Sequence, residues 1–248
     1  MRLNVATWGD PHAARTAVLL HGVTSNLGSW ARVGPALADA GFHVYAADLR
    51  GHGDSPKPAR GYWFSEMVSD LPESVPTSPD LLIGHSLGGA LAVVAMEAGL
   101  ICPASLVLED PALVMQDPLF PSQSLADDER DLPLDPVELL RLHPTWEPVD
   151  AEAKAASVAA VDWDHMRQAY VGNVPWDLRP EVLDLAGRLP VRLILADGSQ
   201  FVSRADAFAF EAALGPGSVV AVQGAGHSVH RDDLTAYMSI VFQFVDPS

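Results

Sequence analysis

The chain has 248 residues, of which 48% are apolar and 19% charged, a balance that builds one sizeable core and excludes a disordered polymer. Fifteen Lys and Arg stand against 32 Asp and Glu, for a net charge of −17. A surface so acidic repels phosphate backbones and anionic lipid, so nucleic-acid and membrane-surface partners are not expected.

In chain order, short apolar runs alternate with longer amphipathic ones. Residues 17–20, 42–47, 81–83, 105–108, 191–196 and 218–222 read as buried strands. Residues 30–40, 87–98, 205–214 and 232–245 read as helices, long enough to serve as crossovers between parallel strands. Gly41, Gly99 and Gly215 follow three of them, where helices end in a left-handed turn. The expected fold class is α/β: a mostly parallel central sheet flanked by helices.

Residues 112–176 break the rhythm. Together with Pro111 at the edge, the stretch holds eight prolines, an acidic run (Asp127, Asp128, Glu129) and the aromatics Trp146, Trp163, Tyr170 and Trp176. It is expected to be a helical insertion over a core made of residues 1–111 and 177–248, because so long a structureless loop is unusual in a compact domain.

The residues that carry chemistry cluster at strand ends. Gly84-His85-Ser86-Leu87-Gly88-Gly89 follows a strand and opens a helix, the setting in which a serine at a sharp turn is pushed out above the sheet. Ser86 is the candidate nucleophile. A tetrahedral oxyanion needs two backbone donors, and Leu87, at the N-terminus of that helix, offers one. Val23, in the loop His21-Gly22-Val23 after a strand, is the candidate for the other, with His21 a structural side chain. Among nine histidines, His227 lies in Gly224-Ala225-Gly226-His227 directly after the final strand run, and is the candidate base ahead of His230. His85 is expected to pack or orient.

The motifs HGVTSNLGSW, DLRGHGDS, GHSLGG and GAGH, in this order, make the sequence similar to the α/β-hydrolase superfamily across all but the insertion, which resembles that superfamily's cap in position only. The resemblance implies a serine-nucleophile hydrolase, a structural role for Asp48 to Ser55, and no cofactor. It argues against the dehalogenase and epoxide hydrolase branches, which carry aspartate at the elbow. In the usual family pattern the third triad member falls in the loop after Leu195, yet the matching slot here holds Ser199, which carries no charge to orient an imidazole. Asp110, at the tip of the strand ending Leu106-Val107-Leu108-Glu109, is the favoured acid, with Asp197 and Glu109 as alternatives.

The expected substrate is a small apolar carboxylic ester or lactone. A carbon-carbon bond hydrolase acting on a vinylogous diketone, or a receptor that uses the same pocket without turnover, is the other reading. With one cysteine (Cys102, expected to be buried or at a helix end), no signal-like apolar run at the N-terminus and no 18-residue apolar stretch, the expected location is cytoplasmic.

Overall fold

A computed structural model describes residues 1–115 and 132–246. Seven strands form one sheet: β1 (Val5–Trp8), β2 (Arg15–Leu20), β3 (Phe42–Ala47), β4 (Leu81–His85), β5 (Leu106–Glu109), and, beyond a separate two-stranded ribbon of β6 (Val114–Met115) and β7 (Trp176–Asp177), β8 (Val191–Leu195) and β9 (Val219–Ala221). Their order is β1-β3-β2-β4-β5-β8-β9. Every pairing in the sheet is parallel except that of β1 with β3.

Each central strand is apolar on both faces, and its period of two sends alternate residues into different cores. Val18, Leu20, Leu82, Leu106 and Leu108 pack on one side with the helix Leu87–Glu97. Ala17, Leu19, Leu81, Ile83 and Val107 pack on the other with the helices Val33–Asp39 and Leu234–Val245. At roughly 1.5–3 kcal/mol for each fully buried large side chain, this two-sided burial dominates the stability of the sheet. It also places the C-terminal ends of β2, β4, β5 and β8 side by side, the edge where open α/β sheets bind ligands.

Three expectations shift in detail. The strand β1 is half-buried and antiparallel at the sheet edge, so it lacks the apolar run that marks its neighbours. The last helix expected is broken at Asp233, whose φ of −145° is not helical and whose carboxylate caps Ala236. Cys102 is exposed and follows the helix Leu87–Glu97 by a few residues.

The segment between β5 and β8 leaves the sheet. β6 and β7 pair antiparallel at its base, and Leu178 donates its amide to the Leu113 carbonyl just below. Within it lie the helices Pro136–Leu142, Pro148–Ala159 and Trp163–Val171. Pro136 and Pro148 sit at helix starts, where proline's fixed φ is already helical and its missing N–H is not needed. Asp135 caps the first of these helices through the amide of Val137. The acidic run 127–129, Pro118 and Pro121 lie outside the described residues.

Candidate active site

β4 ends at His85 and the next helix begins at Leu87, so one residue, Ser86, must turn the chain. It does so with φ 52° and ψ −116°. The tight turn works because its neighbours have no Cβ: one on Gly84 would lie 2.5 Å from the Gly88 carbonyl, and one on Gly88 would overlap the carbonyl of Leu20. Among the described residues, the non-glycine positions with positive φ are Thr24, Ser86 and Asp110; Ser86 and Asp110 directly follow the adjacent strands β4 and β5, and Thr24 lies in the loop after β2, the neighbour of β4. Such conformations cost about 1–3 kcal/mol each and persist where the surrounding structure enforces them.

β4 and β5 pair His85 with Glu109, so Ser86 and Asp110 are the next residues out on neighbouring strands. The Ser86 amide donates to the Glu109 carbonyl at 3.0 Å, and the Ser86 carbonyl accepts from Ala112 at 3.1 Å. Asp110 is buried. One of its carboxylate oxygens accepts from the Ala196 amide at 3.3 Å, and the other meets His227 Nδ1 at 2.6 Å. A ring nitrogen facing a carboxylate is the protonated one, which leaves His227 Nε2 as the acceptor nitrogen.

His227 is held in two further ways. His85 Nε2 donates to the His227 carbonyl at 2.9 Å, with the two rings 4.7 Å apart. Phe201 lies against the His227 imidazole, centroids 4.6 Å apart. Because His85 immediately precedes Ser86, that first bond joins the backbone of the candidate base to the residue beside the candidate nucleophile.

The loop after β2 closes the third side. A Cβ on Gly22 would stand 2.9 Å from His85 Nδ1 and 3.1 Å from Ser86 Cβ, so only glycine lets this loop approach so closely. Val23 follows it, half-buried, while Leu87 is buried at the start of the helix after Ser86. His21 fastens the loop from below, its Nδ1 donating to the Gly22 carbonyl at 2.7 Å and its Nε2 accepting the Leu49 amide at 3.0 Å. Burial holds His21 at about 4 and His52 at about 3, so both are neutral fixtures of the framework. Asp48 ties the same region together, accepting from Leu27, Asn4 and Asp54.

The rival acids have other partners. Asp197 accepts the Gly224 amide at 3.0 Å. Ser199 receives the amides of Phe201 and Val202 and shapes their turn. Glu109 is buried and faces His230, which donates its backbone amide at 3.0 Å and its Nδ1 at 2.7 Å to one carboxylate oxygen. Burial alone would raise the Glu109 carboxyl; the charge and N–H groups of His230, with His85 nearby, outweigh it and hold Glu109 at about 2. His230 Nε2 continues to Ser29 Oγ at 2.9 Å, which also accepts from Arg231 at 3.0 Å.

A model of the alpha/beta hydrolase family matches residues 17–238. The chain belongs to the alpha/beta hydrolase family. As a member, it is 28% identical over 252 residues to the 2-(acetamidomethylene)succinate hydrolase of Mesorhizobium japonicum, covering 92% of this chain and 87% of that protein. A solved structure of an E-2-(acetamidomethylene)succinate hydrolase superposes with a TM-score of 0.76 at 25% identity, over 98% of this chain and 95% of that one. The enol-lactonase of Burkholderia xenovorans LB400 shares the fold, with a TM-score of 0.72 at 22% identity over 98% and 96% of the two chains. Epoxide hydrolase A of Mycobacterium tuberculosis is 37% identical over 106 residues, but the match spans 41% of this hydrolase and only 32% of that relative. Among the described residues, no helix is long and apolar enough to cross a membrane.

Proposed function

We propose that this hydrolase cleaves a carboxylic ester or lactone through an acyl-enzyme, with Ser86 as nucleophile, His227 as base and Asp110 as the acid that orients it. The reading rests on one observation above all: the 2.6 Å contact between Asp110 and His227 Nδ1, beside a serine held at φ 52° on the next strand. With Nδ1–H given to Asp110, His227 Nε2 is free to take the Ser86 proton as Oγ bonds to the substrate carbonyl carbon. The carbonyl oxygen takes the displaced electron pair, and the amides of Val23 and Leu87 receive that oxyanion. His227 then gives its proton to the leaving alkoxide, which departs as the alcohol. A water, deprotonated by the same nitrogen, adds to the acyl carbon and releases the acid with Ser86 restored.

In this reading residues 112–176 form a cap that encloses the acyl or alcohol group against a core of residues 1–111 and 177–248. No step in this sequence calls for a cofactor. A second substrate class has a specific observation behind it: a relative that aligns over most of both chains is named for 2-(acetamidomethylene)succinate. Acyl groups carried on nitrogen therefore belong in the test beside esters and lactones.

The test is a panel of p-nitrophenyl esters, lactones, N-acyl enamines and vinylogous diketones, assayed with the wild-type protein and Ser86→Ala. Turnover of an ester or lactone, lost in Ser86→Ala, supports the proposal. Turnover of a diketone alone moves the reading to carbon-carbon bond cleavage. Ligand binding without any turnover moves it to a receptor.

A further inference from the structure

One inserted side chain reaches the loop that carries His227. Trp146 lies in the turn between the helices Pro136–Leu142 and Pro148–Ala159 and is nearly buried. Its indole N–H donates to Asp232 Oδ1 at 2.7 Å, and the other oxygen of the same carboxylate accepts the Gly226 amide, also at 2.7 Å. Gly226 directly precedes His227. The indole stacks on His143, with centroids 4.0 Å apart, and the Arg231 guanidinium lies over it at 5.1 Å.

Around His227, the ring is held by Asp110, its carbonyl by His85, and the turn after it by Glu109 through His230. Those three anchors lie on β4, on β5 and on the residue that follows β5. The fourth, on the Gly226 amide, is different in kind, because the carboxylate supplying it is itself held by the inserted segment. Asp232 is fixed at both oxygens, and the peptide leading into His227 is pinned through it. Without the indole donor, Asp232 could turn to water and the Gly226 amide would lose a fixed acceptor.

We propose that Trp146 is a positioning residue for His227, holding the aim of the imidazole through Asp232 and the Gly226 amide. That role rests on the reading of His227 as the base. It matters for the chemical step because a misplacement of about 1 Å at the reacting groups can cost about 100-fold in rate.

The experiment measures kcat and KM for a p-nitrophenyl ester, the rate of fluorophosphonate labelling and the melting temperature in Trp146→Phe, Asp232→Asn, the double variant and Arg32→Ala. Trp146→Phe keeps the ring and removes the donor, and Arg32→Ala cuts a different tie between segment and core, the 2.7 Å ion pair with Asp150. The expected result is a kcat lowered roughly tenfold in Trp146→Phe with KM changed by less than about twofold. Asp232→Asn is expected to lose at least as much, the double variant no more than Asp232→Asn alone, and Arg32→Ala to change KM but not kcat. Multiplying losses in the double variant, an unchanged kcat in Trp146→Phe, or an equal kcat loss in Arg32→Ala would each overturn that role. Should Trp146→Phe be unfolded at the assay temperature, the contrast of Asp232→Asn with Arg32→Ala decides the matter. A wild-type protein that neither turns over esters nor labels would instead bring down the underlying reading of Ser86 and His227.

Discussion

His230 and Glu109 form a buried pair beside the Asp110–His227 contact, so two consecutive acids at the tip of β5 hold two histidines three residues apart. The outer pair carries the chemistry proposed for the site; the inner pair anchors the loop that delivers it. Breaking such a buried pair by removing one partner costs about 3–5 kcal/mol.

Glu109→Gln is therefore expected to lower the unfolding free energy by about 3 kcal/mol in urea titrations at neutral pH. The sign with pH follows from the lowered carboxyl. The wild-type contribution is complete above about 4.5 and is lost as pH falls toward about 2, so the two proteins should converge in stability across that interval.

Asp110→Asn keeps the shape of the acid while removing the charge that fixes the His227 tautomer. It should reduce kcat by about 10³–10⁴-fold with a circular dichroism spectrum like that of the wild type. Asp197→Asn, whose partner is the Gly224 amide, should leave kcat unchanged. The reverse pattern would move the acid back to the loop after β8.

Gly22→Ala tests the close approach of the loop after β2. A methyl group there meets His85 and Ser86, so it displaces both the amide of Val23 and the candidate nucleophile. Loss of one oxyanion donor costs about 3–4 kcal/mol of barrier, and kcat should fall at least about 100-fold. A melting temperature unchanged while activity disappears would separate this effect from general overpacking.

Three buried histidines should make the fold sensitive to mild acid. Burial keeps His21 at about 4, His52 at about 3 and His85 well below its ordinary value, whereas each takes a proton near pH 6.5 once unfolded. Between about pH 6.5 and 4 the unfolded chain binds more protons, so stability declines as pH falls, by up to about 1.4 kcal/mol per pH unit for each histidine. Urea midpoints measured across that range in wild type and in His52→Gln should show a shallower slope in the variant.

Much of this arrangement is legible in the amino-acid sequence. The elbow around Ser86 could be read because its requirements are local: a strand, a helix, and glycines at the two positions where a Cβ meets backbone. Asp110 could be favoured because Ser199 in the usual slot has no charge and some members of the family that the motifs resemble place the acid at the tip of the preceding strand, where Asp110 stands. The anchor of Glu109, His230 and Ser29 could not be read, since its members lie 121 and 201 residues apart and their pairing depends on how β5, the 3-10 helix Leu27–Trp30 and the short helix Val229–Asp232 pack together. A hint was present in two adjacent acids and two histidines three residues apart. β1 was missed for a physical reason too: an edge strand covered on one side shows no continuous apolar run. Likewise, nothing local to Trp146 marks it as a neighbour of Asp232.

The central claim is that Ser86 is a nucleophile made reactive by His227. Intact-mass analysis after incubation with a fluorophosphonate tests it most directly, comparing wild type with Ser86→Ala and His227→Ala. The account predicts one adduct on the wild-type chain, located by peptide mapping at Ser86, no adduct in Ser86→Ala, and labelling slowed by at least about 1000-fold in His227→Ala. A folded wild-type protein that takes up no label, or a label carried on another residue, would contradict it.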